Sequence, residues 1–243
     1  MKGAIKPRKI DYEGLQFIRW ALMVVVASRA AGMRELNRGR LHALLFQSFA
    51  SSLFYGIKPL RQRAQRTVHG PYYRAAHIAV GKLVLSGLVA LEEYNPLDHN
   101  QGIQFDGKLS PTPAGLEVVQ ALRETKAGDQ LYRFLLDLCL GTVQAVYVAQ
   151  DKEALSGTTG AELAEQLELS AQSSIDNVLL TDLSYQQASK RNDVLLQLID
   201  RPDDLPLTVH GLREVAGAIT DGRNKNRRDV LTAYQFLLRR RVA

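Results

Sequence analysis

The sequence predicts a mainly α-helical chain that carries one small β-hairpin. Apolar residues recur at helical spacing over Tyr12–Ala31, Arg38–Phe54, Tyr72–Gly87 and Asp129–Gln150. Two short apolar runs, Leu88–Glu92 and Ile103–Leu109, flank a polar loop containing Pro96, Asp98, Asn100 and Gly102, which reads as the hairpin. A third observation concerns charge. Leu36–Leu91 holds no Asp or Glu in 56 residues, yet carries Arg38, Arg40, Lys58, Arg61, Arg63, Arg66, Arg74 and Lys82, with His42, His69 and His77. A field of one sign attracts phosphate or an acidic partner.

Composition bounds the rest. Of 243 residues, 46% are hydrophobic, enough for a real core. The net charge of +6 is unevenly spread: +9 over residues 1–127, −9 over 128–222 and +6 over 223–243. Such a chain suits more than one kind of surface. The single cysteine, Cys139, excludes an internal disulfide and a cysteine-based metal site. The basic start lacks the apolar core and cleavage site of a signal peptide. The most apolar run, Trp20–Ala27, is far short of the roughly 20 residues of a membrane span. A soluble, cytoplasmic protein is expected.

Taken in order, residues 1–11 read as a basic arm, with Lys2, Lys6, Arg8 and Lys9. The helix over Tyr12–Ala31 is too densely apolar for one stripe and should be buried on most sides, with Gly32 as its C-cap. Asn37 is an N-cap for Arg38–Phe54, whose Arg38, His42 and Gln47 can face outward. Gly56 and Pro59 break that helix, and a short basic turn follows, ending at Gly70-Pro71. In the helix Tyr72–Gly87, the core side is Ile78, Val80, Leu83, Val84 and Leu88. After the hairpin, Ser110-Pro111-Thr112-Pro113 opens a helix over Ala114–Thr125 with Leu116, Val118, Val119 and Leu122 inward. These elements group as a domain over 12–127. The apolar width of Asp129–Gln150 suggests a connector or association helix over 128–150. A linker at 151–160 and a helical C-terminal region at 161–243 complete the chain. The helices expected there are Ala161–Leu169, Ile175–Asp200 with a break near Ser184, Thr208–Thr220 and Asn224–Arg241.

The order helix, short turn, helix, β-hairpin, helix resembles the winged helix-turn-helix fold. Two stretches carry the resemblance. Lys82-Leu83-Val84-Leu85-Ser86-Gly87-Leu88-Val89 looks like the end of a recognition helix turning into the first wing strand. Leu109-Ser110-Pro111-Thr112-Pro113-Ala114-Gly115-Leu116 looks like the "leucine-threonine-x-x-glycine" start of the helix after the wing. The wing departs from the family: it holds Glu92, Glu93, Asp98 and Asp106 against one basic residue, Lys108.

No sequence pattern supports catalysis. Gly157-Thr158-Thr159-Gly160 lacks the lysine and strand of a phosphate loop, and no histidine pair sits at metal-ligand spacing. Neither a cofactor nor a metal is expected. In a winged helix the start of the recognition helix meets base edges while flanking groups hold phosphates. Those positions here are Tyr72, Tyr73, Arg74 and His77, preceded by Lys58, Arg61, Arg63 and Arg66. Arg239, Arg240 and Arg241 form a second basic patch.

The Gly70-Pro71-Tyr72-Tyr73 turn, the Lys82–Val89 helix end, the wing and the helical second half together resemble the middle component of Lamassu-type, ABC-three-component anti-phage systems. That resemblance implies an accessory subunit without catalysis that docks on an SMC- or Rad50-like ABC ATPase, contacts double-stranded DNA through its backbone and restrains an effector. A stand-alone winged-helix regulator and a protein-binding adaptor are the alternatives, and a homodimer is compatible with the apolar surplus.

Overall fold

The computed structural model of the chain describes residues 12–33, 35–60, 63–97, 104–147, 175, 177–191, 195–196, 205–219 and 226–241. The basic arm at 1–11, Arg61, the linker at 151–160 and the helix expected at 161–169 lie outside the described residues.

The element order is α1 (Tyr12–Ala30), α2 (Arg38–Ser51) with a 3-10 turn (Ser52–Tyr55), β1 (Ala64–Thr67), β2 (Gly70–Tyr72) and α3 (Arg74–Leu85). Next come β3 (Val89–Leu97), β4 (Gln104–Pro111), α4 (Pro113–Arg123) and α5 (Lys126–Tyr147). The last elements are α6 (Leu183–Lys190), β5 (Leu195–Leu196), α7 (Leu207–Ala218) and α8 (Arg227–Arg240). The chain is thus mainly helical, with two small antiparallel sheets: the pair β3–β4, and β2–β1–β5 in that order. No helix among the described residues is long and apolar enough to cross a membrane.

Helix α1 lies at the centre. Every residue from Trp20 to Ser28 is buried, because α2, α3, α4, α5 and β4 all pack around it. It stops at Gly32, whose φ of 87° is open to glycine. The Gly32 N–H donates to the Arg29 carbonyl (3.1 Å) and the Met33 N–H to the Ser28 carbonyl (3.0 Å), closing the last turn. Helix α2 starts at Asn37, whose side chain accepts from the Arg40 N–H at 2.9 Å. Its His42 and Gln47, expected to face outward, are buried at 3% and 0% exposure. Tyr72 and Tyr73 lie over His42, with ring centroids at 5.0 and 6.3 Å.

The short basic turn is instead a β-hairpin. Gln65 pairs with Tyr72 and Thr67 with Gly70, and β5 adds to the other edge of β1. The strand Ala-Gln-Arg-Thr has one apolar residue, so it carries no alternation to read. Tyr72 and Tyr73 precede α3 and are not part of it. Helix α3 buries Ala76, Ala79 and Leu83, and the two alanines are small enough to admit α1 closely. Ile78, expected inward, is 49% exposed.

At the junction of α3, β3 and α4 the chain doubles back tightly. Gly87 has φ 70°. The Thr112 hydroxyl donates to the Gly87 carbonyl (2.6 Å) and accepts from the Gly115 N–H (3.1 Å). A Cβ on Gly115 would stand 2.1 Å from the Leu88 carbonyl oxygen. Because α4 rests on this narrow edge, Val119 is buried while Leu116 and Val118, expected inward, are exposed.

Helix α5 buries Leu131, Phe134, Leu135, Leu138 and Cys139 against α1 and α8. Among the described residues, that apolar face meets α1 and α8 within the chain. The C-terminal region joins the same core through Tyr185, Leu212, Val230, Leu231, Tyr234 and Leu238. The helix expected over Ile175–Asp200 is helical at 177–180, breaks at Asp182 and resumes as α6, but Leu195–Leu196 is the strand β5. Asp182 is fully buried and caps α6, accepting from the Ser184 N–H (2.9 Å), the Thr208 hydroxyl (2.7 Å) and the Tyr234 hydroxyl (3.3 Å). It ties α6, α7 and α8 together, and burial pushes its carboxyl above the usual range in spite of those donors.

Two stability outcomes follow. Gly115→Ala forces its methyl into the Leu88 carbonyl and should cost about 1–3 kcal/mol in denaturant unfolding. Gly81→Ala, where a Cβ meets nothing within 4 Å, should gain about 0.5–1 kcal/mol; equal effects would refute the packing argument. Asp182→Ala removes a cap and the acceptor shared by the Thr208 and Tyr234 hydroxyls, leaving Thr208 the Ser184 hydroxyl and Tyr234 the Leu183 N–H. Its unfolding free energy should fall by about 3 kcal/mol, and a loss under about 0.5 kcal/mol would contradict the role of this carboxylate.

Candidate nucleic-acid interface

The candidate surface begins where α2 and α3 start side by side. Tyr73 holds them together. Its ring is 1% exposed and packs on Phe17 and Phe49, with centroids at 6.1 and 5.5 Å. Its N–H donates to His42 Nδ1 at 3.0 Å. Tyr73 therefore belongs to the core and is removed from the set of surface residues. Its burial aims the next residue, Arg74, outward, where it is exposed. Tyr72 is half-buried, with its ring 5.0 Å from that of His42.

Neither helix has an acidic residue in its first turn; α2 opens on Arg38 and α3 on Arg74. The helix dipole places partial positive charge at an N-terminus and favours a carboxylate there. Arginine at both starts adds to the positive field instead of offsetting it. Arg38 acts on both His42 and His77, so the three groups share one neighbourhood. Burial, then Arg38, then His77 hold the His42 imidazole at about 3, against 6.5 for a free one. Burial and Arg38 also lower the pKa of His77. Two helix starts that each carry arginine give this neighbourhood a positive sign.

The outer face of α3 continues from there. Arg74, Ile78, Lys82 and Leu85 fall on one side at helical spacing, with Ile78 49% and Leu85 90% exposed. Lys58 and Arg63 are exposed, and Arg66 is half-buried. Arg66 Nη1 donates to the Ser189 carbonyl at 2.9 Å. Of the second patch, Arg239 donates to the Ala145 carbonyl (3.0 Å), which fastens α8 to α5, while Arg240 and Arg241 are exposed. Sequence reasoning missed Lys190 and Arg191, both exposed and directly following the residue that Arg66 grips.

The β3–β4 hairpin takes no part in this field. Its Lys108 pairs with Glu35 and with Glu93 (2.9 Å), which push its pKa up to about 12. Glu93 sits at φ 52° beside the irregularity between Glu92 and Asn95, a conformation uncommon outside glycine. A cleft of about 260 Å³ at the root of this hairpin, lined in part by Arg29, Glu92 and Lys108, lies apart from the α3 face. Among the described residues no group of three metal-ligating side chains occurs. Comparison of the chain with protein-family models, curated proteins and solved structures gives no match.

The lowered His42 has a pH consequence with a definite sign. The unfolded chain takes up a proton near 6.5 that the folded chain refuses until about 3. The contribution of His42 to stability is present above pH 6.5 and is lost as pH falls toward 3, by up to about 5 kcal/mol. In His42→Asn, where an amide oxygen can still accept from Tyr73, denaturant unfolding across this window should lose the slope of one proton. An unchanged slope would show that His42 titrates normally.

Proposed function

We propose that the chain is a DNA-associated accessory subunit of a larger complex, without catalysis of its own. It holds duplex DNA by the phosphate backbone at the paired starts of α2 and α3. The observation that carries this reading is the pair of helices opening on Arg38 and Arg74, with no carboxylate in either first turn, inside a segment that has none at all. Phosphate supplies the negative charge that the two dipoles lack.

In the same reading, α2, α3, β3–β4 and α4 act as a winged helix-turn-helix module. Two local arrangements support this. Gly87 gives the sharp exit from α3, and Thr112 bridges Gly87 to Gly115 at the start of α4, so the two stretches that resemble the family meet in space. One feature differs: β1–β2 occupies the connection where the family has a short turn. The neutralised Lys108 leaves α3, and not the β3–β4 hairpin, to meet DNA. The larger complex is taken from the resemblance to the middle components of Lamassu-type systems, in which the partners are an SMC-like ATPase and an effector.

A protein-binding adaptor is the second reading, favoured by Ile78 and Leu85 standing exposed between the cations of α3. Arg74→Glu with Lys82→Glu decides between them. For a backbone-binding subunit, log K for duplex falls with log salt, and the double variant should flatten that slope by about 1.8 while its thermal unfolding stays unchanged. Wild-type slope and affinity in the variant would sink the DNA reading. An adaptor co-purifies with its partner and ignores DNA, and a regulator leaves a sequence-specific footprint.

A further inference from the structure

Resting on the DNA reading above, we infer that the β1–β2 hairpin and the end of α6 build a second phosphate-binding edge, so that duplex DNA is held jointly by the N-terminal and C-terminal parts of the chain. The hairpin is basic and outward. Arg63, Gln65, Thr67 and His69 are exposed, and Val68 at its tip is 95% exposed. Arg, Gln and Thr are donors that contact phosphate and sugar.

What extends this edge is a contact across 123 positions of sequence. Arg66 Nη1 donates to the Ser189 carbonyl (2.9 Å) at the end of α6. The two residues that follow, Lys190 and Arg191, are exposed. They lie in the segment of the chain with net charge −9, yet Leu183–Arg191 itself contains no acid. Their position is fixed by the core. Tyr185 packs edge-on against Phe46 of α2 at 5.6 Å, and Asp182 caps the helix start. β5, a few residues on, pairs with β1. Of the two hairpins, only β1–β2 has the sign that phosphate requires. β3–β4 carries Glu92 and Glu93, with Lys108 already paired.

The test compares three proteins, wild type, Arg74→Glu and Lys190→Glu/Arg191→Glu, on duplexes of about 10 and about 25 base pairs, one turn and more than two. Binding is followed across a salt series, with circular dichroism melts as a folding check. Arg74→Glu should weaken binding to both lengths. Lys190→Glu/Arg191→Glu should flatten the salt slope by about 1.8 on the long duplex. Lys190→Gln/Arg191→Gln should change in the same direction, which keeps the result readable if charge reversal disturbs α6. If Arg74→Glu weakens binding while both Lys190/Arg191 pairs keep wild-type slopes on both duplexes, the second edge is overturned and the DNA reading stands. If the wild type binds neither duplex in a salt-dependent way, both fall.

Discussion

A helix that buries each residue from Trp20 to Ser28 has no side left for water, and α1 is such a helix. At about 1.5–3 kcal/mol for each large apolar side chain removed from water, Phe17, Trp20, Leu22, Met23 and the three valines at 24–26 supply on the order of 15 kcal/mol gross. Caps and single hydrogen bonds contribute about 1 kcal/mol each. Enclosure of α1 therefore dominates the local terms, and the other elements are placed by the need to surround it. Two of its buried polar side chains are met inside the wrapping: Trp20 Nε1 donates to Ser48 Oγ (2.9 Å) on α2, and the Ser28 hydroxyl donates to the Val25 carbonyl.

The basic α3 surface is a by-product of that enclosure. For α3 to reach α1 it turns its alanines inward, which leaves Arg74, Ile78, Lys82 and Leu85 on the outside. For α2 to reach α1 its starting turn comes to lie beside that of α3. The ring cluster of Phe17, Phe49 and Tyr73 fixes the arrangement, with centroids 5.5 to 6.1 Å apart. A buried tyrosine immediately before the helix is what presents the arginine after it. The same logic covers α5, whose broad apolar face meets α1 on one side and α8 on the other, with Gly141 allowing Thr232 close.

Electrostatics then distinguishes surfaces that packing alone leaves equivalent. Two helix starts carry arginine against their own dipoles, a local cost that an anion would relieve. The β3–β4 hairpin resolves its charge internally through Lys108, Glu35 and Glu93. Arg239 and Arg66 each spend a guanidinium N–H on a carbonyl at a helix or near its end, so part of their basic character serves the fold. Arginine content by itself thus says little about which arginines are available.

Most of the described helices, the caps at Gly32 and Asn37, the β3–β4 hairpin and the single sign of the segment from Leu36 to Leu91 were legible in the chain, because each depends on neighbours a few residues apart. So were Arg74 and His77 as parts of the candidate site. Other features were decided only by tertiary contacts. His42 and Gln47 are polar, yet both are buried, His42 beneath Tyr72 and Tyr73. β1 has almost no apolar alternation and becomes a strand by pairing with β2 and β5. Tyr73 turns inward because Phe17 and Phe49 are there to receive it. Lys190 and Arg191 reach the hairpin through a bond spanning 123 positions. Sequence determined where helices form and what sign of charge they carry, since propensity, capping and composition are local. Which side of each helix meets water was left to the structure, since burial depends on parts of the chain far away in sequence.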